Sequence, residues 1–166
     1  SRFGLEMKSL ADAVQLRDRA IQMLERADAC EDAARRRALL QFVVVGGNFT
    51  GVEVAGELQI LLRQACRHYR HLREEEIGVT LVELSARILA TLDSDLAEYA
   101  EMRLRRRGIV LRLNTTLTGI QEDRVTFPAG EELPCHTVIW CAGIQPHPLI
   151  AQSRLPTTPQ GYLICE

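Results

Sequence analysis

The sequence lacks the cysteine and histidine patterns of a metal or redox centre. Its five cysteines form an odd set without a C-x-x-C pair, and its four histidines are not clustered. This arrangement is not typical of zinc sites, thioredoxin-like centres or disulfide frameworks. We therefore expect no metal ligands, no disulfides and a reduced, intracellular compartment. The cysteines are Cys30, Cys66, Cys135, Cys141 and Cys165.

Long apolar segments and an excess of one charge are also missing. No stretch approaches the roughly 18 apolar residues of a transmembrane helix, and the N-terminus has no secretory signal pattern. Twenty basic and twenty-two acidic residues give a formal net charge of −2, so no overall field attracts nucleic acid or anionic lipid. Two runs of arginine, at 35–37 and 105–107, are interpreted as solvent-exposed residues beside the ends of predicted helices or strands. The second run ends a predicted helix just before Gly108.

The composition is that of a folded domain. The chain has 166 residues, of which 46% are hydrophobic and 25% charged, as in ordinary globular domains. A chain of this length buries about 70% of the surface that its unfolded form exposes, which is enough for one real core. Because the sequence begins with Ser1 instead of methionine, we expect it to be cut from a longer protein.

Hydrophobic periodicity predicts alternating helices and strands. Ser9, with Asp12 three residues later, resembles a capping box that opens a helix over residues 9–29. Apolar, β-branched runs predict buried strands of the kind found in parallel sheets, and short alternating segments predict a small antiparallel meander. The predicted strands are 39–45, 79–83, 109–113 and 137–140; the helices are 50–70 and from Asp93 or Ser94 to Gly108; the meander is 116–120, 124–127 and a turn at 128–130.

These elements together predict an α/β fold. We expect a Rossmann-like three-layer domain with a central parallel sheet, helices and the small antiparallel crossover meander. Within it, residues 1–37 form an N-terminal helix and joint packed on the domain, and residues 38–166 form the dinucleotide-binding unit itself.

A glycine-rich turn follows the first predicted strand and opens the next helix. A dinucleotide fingerprint there needs a tight turn at Gly46, a close backbone approach to a pyrophosphate at the middle position, and close packing of helix on strand at Gly51. The middle residue is Asn48 instead of glycine, although asparagine tolerates positive φ better than most residues, so the turn can form. The alternative is a glycine-rich strand–helix turn without a ligand. The candidate residues are Gly46, Gly47, Asn48, Phe49, Thr50 and Gly51.

Two further features favour a nucleotide. Glu83 ends the second predicted strand, where a carboxylate accepts hydrogen bonds from adenosine ribose hydroxyls and repels a 2′-phosphate. The alternative for Glu83 is a solvated carboxylate at a strand end. Ala142 and Gly143 follow the last strand at the same edge of the sheet, and their small size lets a flat ring approach.

At these residues the chain resembles a known family. The stretch FVVVGGNFTGVEVAGEL at 42–58, with VIWCAGIQP at 138–146, resembles the type II NADH dehydrogenases, which belong to the FAD-dependent pyridine nucleotide-disulfide oxidoreductases. The likeness covers only their NADH-binding domain, because the flavin-binding fingerprint and the downstream acidic FAD motif are missing. It implies hydride transfer from NADH to FAD held by absent domains of the parent chain, then to a quinone-type acceptor. The isolated fragment is expected to be inactive.

The resemblance also implies roles for individual residues. The glycine turn would hold the NADH pyrophosphate, Glu53 would lie near the nicotinamide, Glu83 would hold the adenosine ribose, and Cys141, Ala142 and Gly143 would line the nicotinamide. No catalytic side chain and no metal are implied, since direct hydride transfer needs no acid–base group.

Several of these roles have alternatives. As a first-turn residue Glu53 would stabilise the helix dipole in any case. Asn48 replaces the family's glycine, and its amide either donates to a phosphate oxygen or blocks the pyrophosphate; Phe49 replaces a frequent proline. Cys141 could be a redox thiol, as in sulfide-oxidising relatives, although a small packing residue is favoured.

Two alternative functions remain. Asn48 motivates a degenerate structural, dimerising or regulatory domain that has lost NAD binding. The other is the equivalent domain of a sulfide:quinone reductase-like protein, against which Glu83 and the Gly51-Val52-Glu53 run argue. The expected partners are NADH, the flavin domain of the parent, a quinone and, as an option, a second copy in a homodimer, but no nucleic acid. We expect a cytoplasmic chain whose parent is peripheral on the inner membrane.

Overall fold

The computed structural model describes residues 4–143, 146 and 148–165. Within these residues the chain forms eight β-strands and five α-helices, numbered in chain order. The strands are β1 (Gly4–Glu6), β2 (Gln41–Val45), β3 (Gly78–Val82), β4 (Ile109–Arg112), β5 (Gly119–Ile120), β6 (Arg124–Thr126), β7 (Glu132–Pro134) and β8 (Thr137–Trp140). The helices are α1 (Leu10–Asp28), α2 (Ala33–Leu39), α3 (Phe49–Cys66), α4 (Ser94–Arg106) and α5 (Pro148–Ser153).

Five strands form one parallel sheet in the order β1-β8-β2-β3-β4. The strands β5, β6 and β7 form a separate antiparallel sheet between β4 and β8 in the chain. Because every strand of the large sheet runs the same way, all of their carboxyl ends meet at one edge. The predicted α/β fold with a parallel sheet and an antiparallel meander is confirmed.

Three layers result from the alternation of side chains along the strands. In β2, Phe42 and Val44 join the core beneath α1, α3 and α4. The intervening Val43 and Val45 join a second core beneath the meander. All four are buried, which explains why β2 is apolar on both faces.

Helix α1 begins at the predicted capping box. The Ser9 side chain accepts a hydrogen bond from the backbone N–H of Asp12, and the Asp12 carboxylate accepts one from the backbone N–H of Ser9 at 2.8 Å. Not every apolar residue of α1 faces the core, because Leu10 is 82% exposed and Val14 and Ile21 also reach solvent. The buried positions of α1 are Leu16, Ala20, Met23, Leu24 and Ala27.

The segment before β2 differs from the prediction. Arginines 35–37 lie inside the short helix α2, and β2 begins at Gln41 instead of residue 39. Leu39 and Leu40 are buried at the helix end, so the apolar run continues across two elements. The strand β1 was not predicted, since its three residues gain their order from pairing with β8.

The later elements follow the predicted order. Helix α3 ends at Cys66, before the predicted residue 70, and α4 ends just before Gly108, which takes a positive φ of 84°. No helix among the described residues is long and apolar enough to cross a membrane.

Candidate functional site

The turn between β2 and α3 is closed by two glycines with no room for a side chain. Gly46 has a φ of 111°, and a Cβ there would lie 2.8 Å from the backbone nitrogen of Ala142. A Cβ on Gly51 would overlap the carbonyl oxygen of Gly46. The tight turn at Gly46 and the close helix packing at Gly51 are therefore present, and they bring the start of α3 against the end of β8.

Asn48 is the N-cap of α3. Its Oδ1 accepts a hydrogen bond from the backbone N–H of Gly51 at 3.0 Å, and its Nδ2 donates to the carbonyl oxygen of Cys141 at 2.7 Å. Its φ is −78°, so the expectation that the turn relies on the tolerance of asparagine for positive φ is wrong. Gly46 takes that conformation instead, and Asn48 connects the glycine turn to the segment after β8.

Glu83 lies directly after β3, with its carboxylate against the glycine turn. Its Oε2 accepts a hydrogen bond from the backbone N–H of Gly47 at 2.5 Å, and its Oε1 accepts one from the backbone N–H of Ser85 at 2.7 Å. Burial opposes ionisation, but the hydrogen bonds from Ser85 and Gly47 outweigh it and hold the pKa of Glu83 below its ordinary value. The carboxylate is thus charged and oriented, whereas a freely solvated one would be mobile.

The segment after Glu83 supports the same turn, a relationship that the sequence did not reveal. The backbone N–H of Leu89 donates to the carbonyl oxygen of Gly47 at 2.7 Å, although Leu89 has a φ of 50°. The Arg87 guanidinium donates to the carbonyl oxygens of Ala90 and Leu92. These bonds hold the β3–α4 loop beside the glycine turn.

Three cavities surround the turn at the carboxyl edge of the sheet. The β3-side cavity, of about 170 Å³, includes Glu83, Arg87 and Phe49. The central cavity, of about 370 Å³, runs from Glu83 to Gly143. The β1-side cavity, of about 190 Å³, lies between the first turn of α3 and residues 140–143.

Asn48 lines all three cavities, and Trp140, Ala142 and Gly143 line both the central and the β1-side cavity. The structure therefore brings the candidate residues from 46–50, Glu83 and 141–143 together along one edge. It also adds Lys8, Arg87, Thr115 and Thr116, which sequence reasoning missed. The motifs could not have indicated them, because they come from loops that only the sheet order makes adjacent.

Glu53 is not among the residues that line these cavities. It is the fifth residue of α3, beyond the first turn, and lines an apolar groove between α1 and α3. The alternative that it stabilises the helix dipole from the first turn is wrong, since α3 begins at Phe49, one residue earlier than predicted, and the effect fades within that turn.

Cys141 is 8% exposed, and burial raises the pKa of its thiol to about 11. A thiol that stays protonated and lacks a partner cysteine fits the packing interpretation. Within residues 4–143, 146 and 148–165, no group of His, Cys, Asp and Glu is arranged to hold a metal ion.

A larger cavity, of about 740 Å³, lies at the opposite end of β8. It is lined mainly by polar side chains from α1 together with His136 and Thr137. Thr137 begins β8 whereas Trp140 ends it, so this cavity does not share the edge at which Asn48 and Glu83 meet. The smaller cavities lie at the carboxyl edge of the parallel sheet beside the glycine turn, which is where open α/β sheets bind their ligands.

Comparison with known proteins decides the family. The sequence model of the family described as pyridine nucleotide-disulphide oxidoreductase matches residues 7–166 of this chain. The chain belongs to this family. The family predicted from the sequence is confirmed, and proteins named as NADH dehydrogenases are among the relatives of this chain.

The curated relatives are longer proteins. A probable NADH dehydrogenase of Dictyostelium discoideum is 32% identical over 162 residues, which make up 96% of this chain and 36% of that protein. The type II NADH:quinone oxidoreductase Ndh of Mycobacterium tuberculosis is 30% identical over 151 residues, or 87% of this chain and 32% of that protein. The chain therefore spans about a third of the length of these relatives.

The fold is also found in solved structures. NDH2 from Plasmodium falciparum, solved in complex with NADH, superposes with a TM-score of 0.82 and 19% identity, covering 93% of this chain and 33% of that one. A ferredoxin reductase from Rhodopseudomonas palustris gives a TM-score of 0.64 at 23% identity, covering 93% of this chain and 32% of that one. At these identities the likeness is one of fold, as expected for a Rossmann-like oxidoreductase domain.

Proposed function

We propose that this chain binds NADH and, within a longer protein, presents it to FAD held by other domains, from which electrons pass to a quinone. The observation that carries the proposal is the ionised, doubly anchored carboxylate of Glu83 beside the glycine turn. Such a carboxylate suits the two hydroxyls of an adenosine ribose and repels the 2′-phosphate of NADPH. The similarity to proteins named as NADH dehydrogenases supports the same nucleotide.

The residues present fit a dinucleotide lying across the sheet edge. Each oxygen of Glu83 accepts one backbone N–H and retains a lone pair for a ribose hydroxyl. The backbone of Gly46 and Gly47 and the start of α3 would face the pyrophosphate, where the helix dipole favours negative charge. Ala142 and Gly143 would border the nicotinamide, because neither side chain blocks a flat ring.

The reacting groups in the proposed reaction are those of the nucleotides, and no side chain of this chain takes part in hydride transfer. NADH supplies a hydride, and the parts of the longer protein outside this chain supply the acceptor. This chain's residues bind and orient the donor, and none of them is assigned an acid–base role. The isolated chain is therefore proposed to bind NADH without turning it over. We also propose that the longer protein is cytoplasmic and peripheral on the membrane.

One observation favours a second candidate, a domain that no longer binds NADH. The side chain of Asn48 already occupies the N–H of Gly51, one of the free amides at the start of α3 that a pyrophosphate would use. Under this alternative the domain serves a structural or regulatory purpose. A sulfide:quinone reductase-like domain is disfavoured because Glu83 would then have no ligand to hold.

Tryptophan fluorescence separates the two candidates. Trp140 is the only tryptophan and lines the central and β1-side cavities, so bound NADH should quench it or accept energy from it. We expect saturable quenching by NADH and a much weaker response to NADPH. No change at millimolar NADH would support the degenerate domain and reject the proposed function.

The Glu83→Ala variant tests the nucleotide assignment. Loss of the carboxylate removes the ribose contacts and the repulsion of a 2′-phosphate, so NADH should bind about tenfold more weakly and the preference over NADPH should narrow. A matched control is Glu98→Ala, since Glu98 is an exposed carboxylate on α4. An unaltered ratio of the two affinities would reject the role of Glu83.

A further inference from the structure

Lys8 is the only lysine of the chain, and it lines the β1-side cavity. It lies in the loop between β1 and α1. Because Glu6 is in register with Trp140, this loop leaves the sheet at the same edge as residues 141–143. The cavity that it lines also includes Asn48 and Thr50, at the start of α3. A single lysine is thus located beside the segment proposed to border the nicotinamide.

The backbone of Lys8 is fixed while its ammonium remains accessible. Its backbone N–H donates to the Asp12 carboxylate at 3.0 Å, as part of the α1 capping arrangement. Its Nζ lies 2.7 Å from the carboxylate of Glu6, and the two side chains are 53% and 56% exposed. An ion pair this exposed contributes little stability, and an ammonium has three donors, so Lys8 can keep Glu6 and still bind an anion.

The strand order shows which part of a dinucleotide would lie near Lys8. Along the edge the strands follow the sequence β1, β8, β2, β3, with Glu83 after β3 and Gly46 after β2. If the adenosine ribose is held at Glu83, the pyrophosphate crosses β2 and the nicotinamide half reaches β8. The next group along the edge is the loop of Lys8.

We propose that Lys8 donates to the phosphate of the nicotinamide half of NADH, which rests on the function proposed above. Asn48 satisfies one amide of α3 internally, so a phosphate there gains from a cation supplied by another loop. Arg87, the cation at the β3-side cavity, already donates to two carbonyl oxygens and lies on the adenosine side. Lys8 therefore supplies the charge at the β1 side.

The first test compares substitutions at the ion pair by calorimetry. Lys8→Gln should weaken binding of NADH and of reduced nicotinamide mononucleotide about tenfold, and leave AMP binding unchanged. Lys8→Arg should retain most of the affinity. Glu6→Gln breaks the same ion pair but keeps the ammonium, so it should bind NADH at least as tightly as the unaltered chain.

The second test uses the single lysine as a chemical probe. The chain has two amines, Lys8 and the N-terminus, and after treatment with an amine-selective acetylating reagent mass spectrometry of peptides distinguishes them. NADH should slow acetylation of Lys8 severalfold, whereas AMP should not.

The outcomes separate this role from the proposed function. If the unaltered chain does not bind NADH, both fail. If it binds NADH but Lys8→Gln binds equally well, or NADH leaves the acetylation rate unchanged, only the role of Lys8 is overturned. An equal loss for AMP would also overturn it, because it would locate the effect in the adenosine half or in the fold.

Discussion

The amide nitrogen of Asn48 lies 2.7 Å from the carbonyl oxygen of Cys141, so one side chain joins the glycine turn after β2 to the segment after β8. The same side chain caps α3 through Gly51. Asn48 also lines all three cavities at the sheet edge, so a substitution there alters the wall of each of them.

The Asn48→Gly variant should bind NADH severalfold more tightly while melting at a lower temperature. The loss of the cap frees the N–H of Gly51 for a phosphate, and the loss of both side-chain hydrogen bonds destabilises the fold. Fluorescence titration of Trp140 and thermal denaturation measure the two effects. Asn48→Asp is the control, since it keeps the capping oxygen but adds a charge that repels phosphate. Unchanged or weaker binding by Asn48→Gly would show that the side chain of Asn48 does not obstruct the pyrophosphate.

Glu83 should make folding stability depend on pH in the acid range. Its folded-state pKa lies below the ordinary value of 4.5, so its contribution is complete above that value and is lost as the pH falls through the folded-state pKa. Glu83→Gln should be destabilised at pH 7, because its amide cannot accept both backbone N–H groups, and this deficit should shrink towards pH 3. Urea unfolding at several pH values measures the difference, with Glu98→Gln as the exposed control. A deficit that is constant with pH would contradict the assignment.

Substituting alanine for two glycines of α3 should change the unfolding free energy in opposite directions. Gly51→Ala forces a Cβ onto the carbonyl oxygen of Gly46 and should cost at least about 2 kcal/mol of unfolding free energy. Gly56→Ala meets only the tip of Arg107 at 3.5 Å and should gain about 0.5–1 kcal/mol from helix propensity. Chemical denaturation of the two variants provides the comparison. A well-tolerated Gly51→Ala would show that the helix can move away from β2.

Cys141 should be unreactive in the folded protein. Burial keeps its pKa at about 11, so at pH 8 the thiolate population is very small. Iodoacetamide at pH 8 should modify the exposed Cys165 first and reach Cys141 only after unfolding. Peptide mass spectrometry at timed intervals follows both sites. Equal labelling rates for the two cysteines would restore the redox-thiol interpretation.

Sequence patterns predicted those helices and strands that are determined by residues close together in the chain. The bounds of β8 agree with the apolar run at 137–140, and the cap formed by Ser9 and Asp12 was legible because its two partners are three residues apart. The strand β1 was missed because only its pairing with β8 orders it. Likewise, the sequence could not explain the asparagine at position 48, because its amide donates to the carbonyl oxygen of Cys141, which is 93 residues away in the chain.

In the candidate site, too, residues within a local motif could be predicted, whereas residues brought in from distant loops could not. Glu83 could be predicted from its position after an apolar strand, and the structure adds the N–H groups that orient it. Lys8 and Arg87 had no sequence signal, since each becomes part of the edge only through sheet order and loop packing. A short motif describes one strand and one helix, whereas the site draws on the ends of all five strands of the parallel sheet.

The position of β8 between β1 and β2 has a consequence for synthesis on the ribosome. Strands β2, β3 and β4 can pair in the order in which they emerge, but β1 has no neighbour in the sheet until residues 137–140 arrive. The closing of the sheet is therefore a late, long-range event with a high loop-closure cost. Until then the edge of β2 is open to pairing with another nascent chain, and this interval is when the protein is most exposed to aggregation.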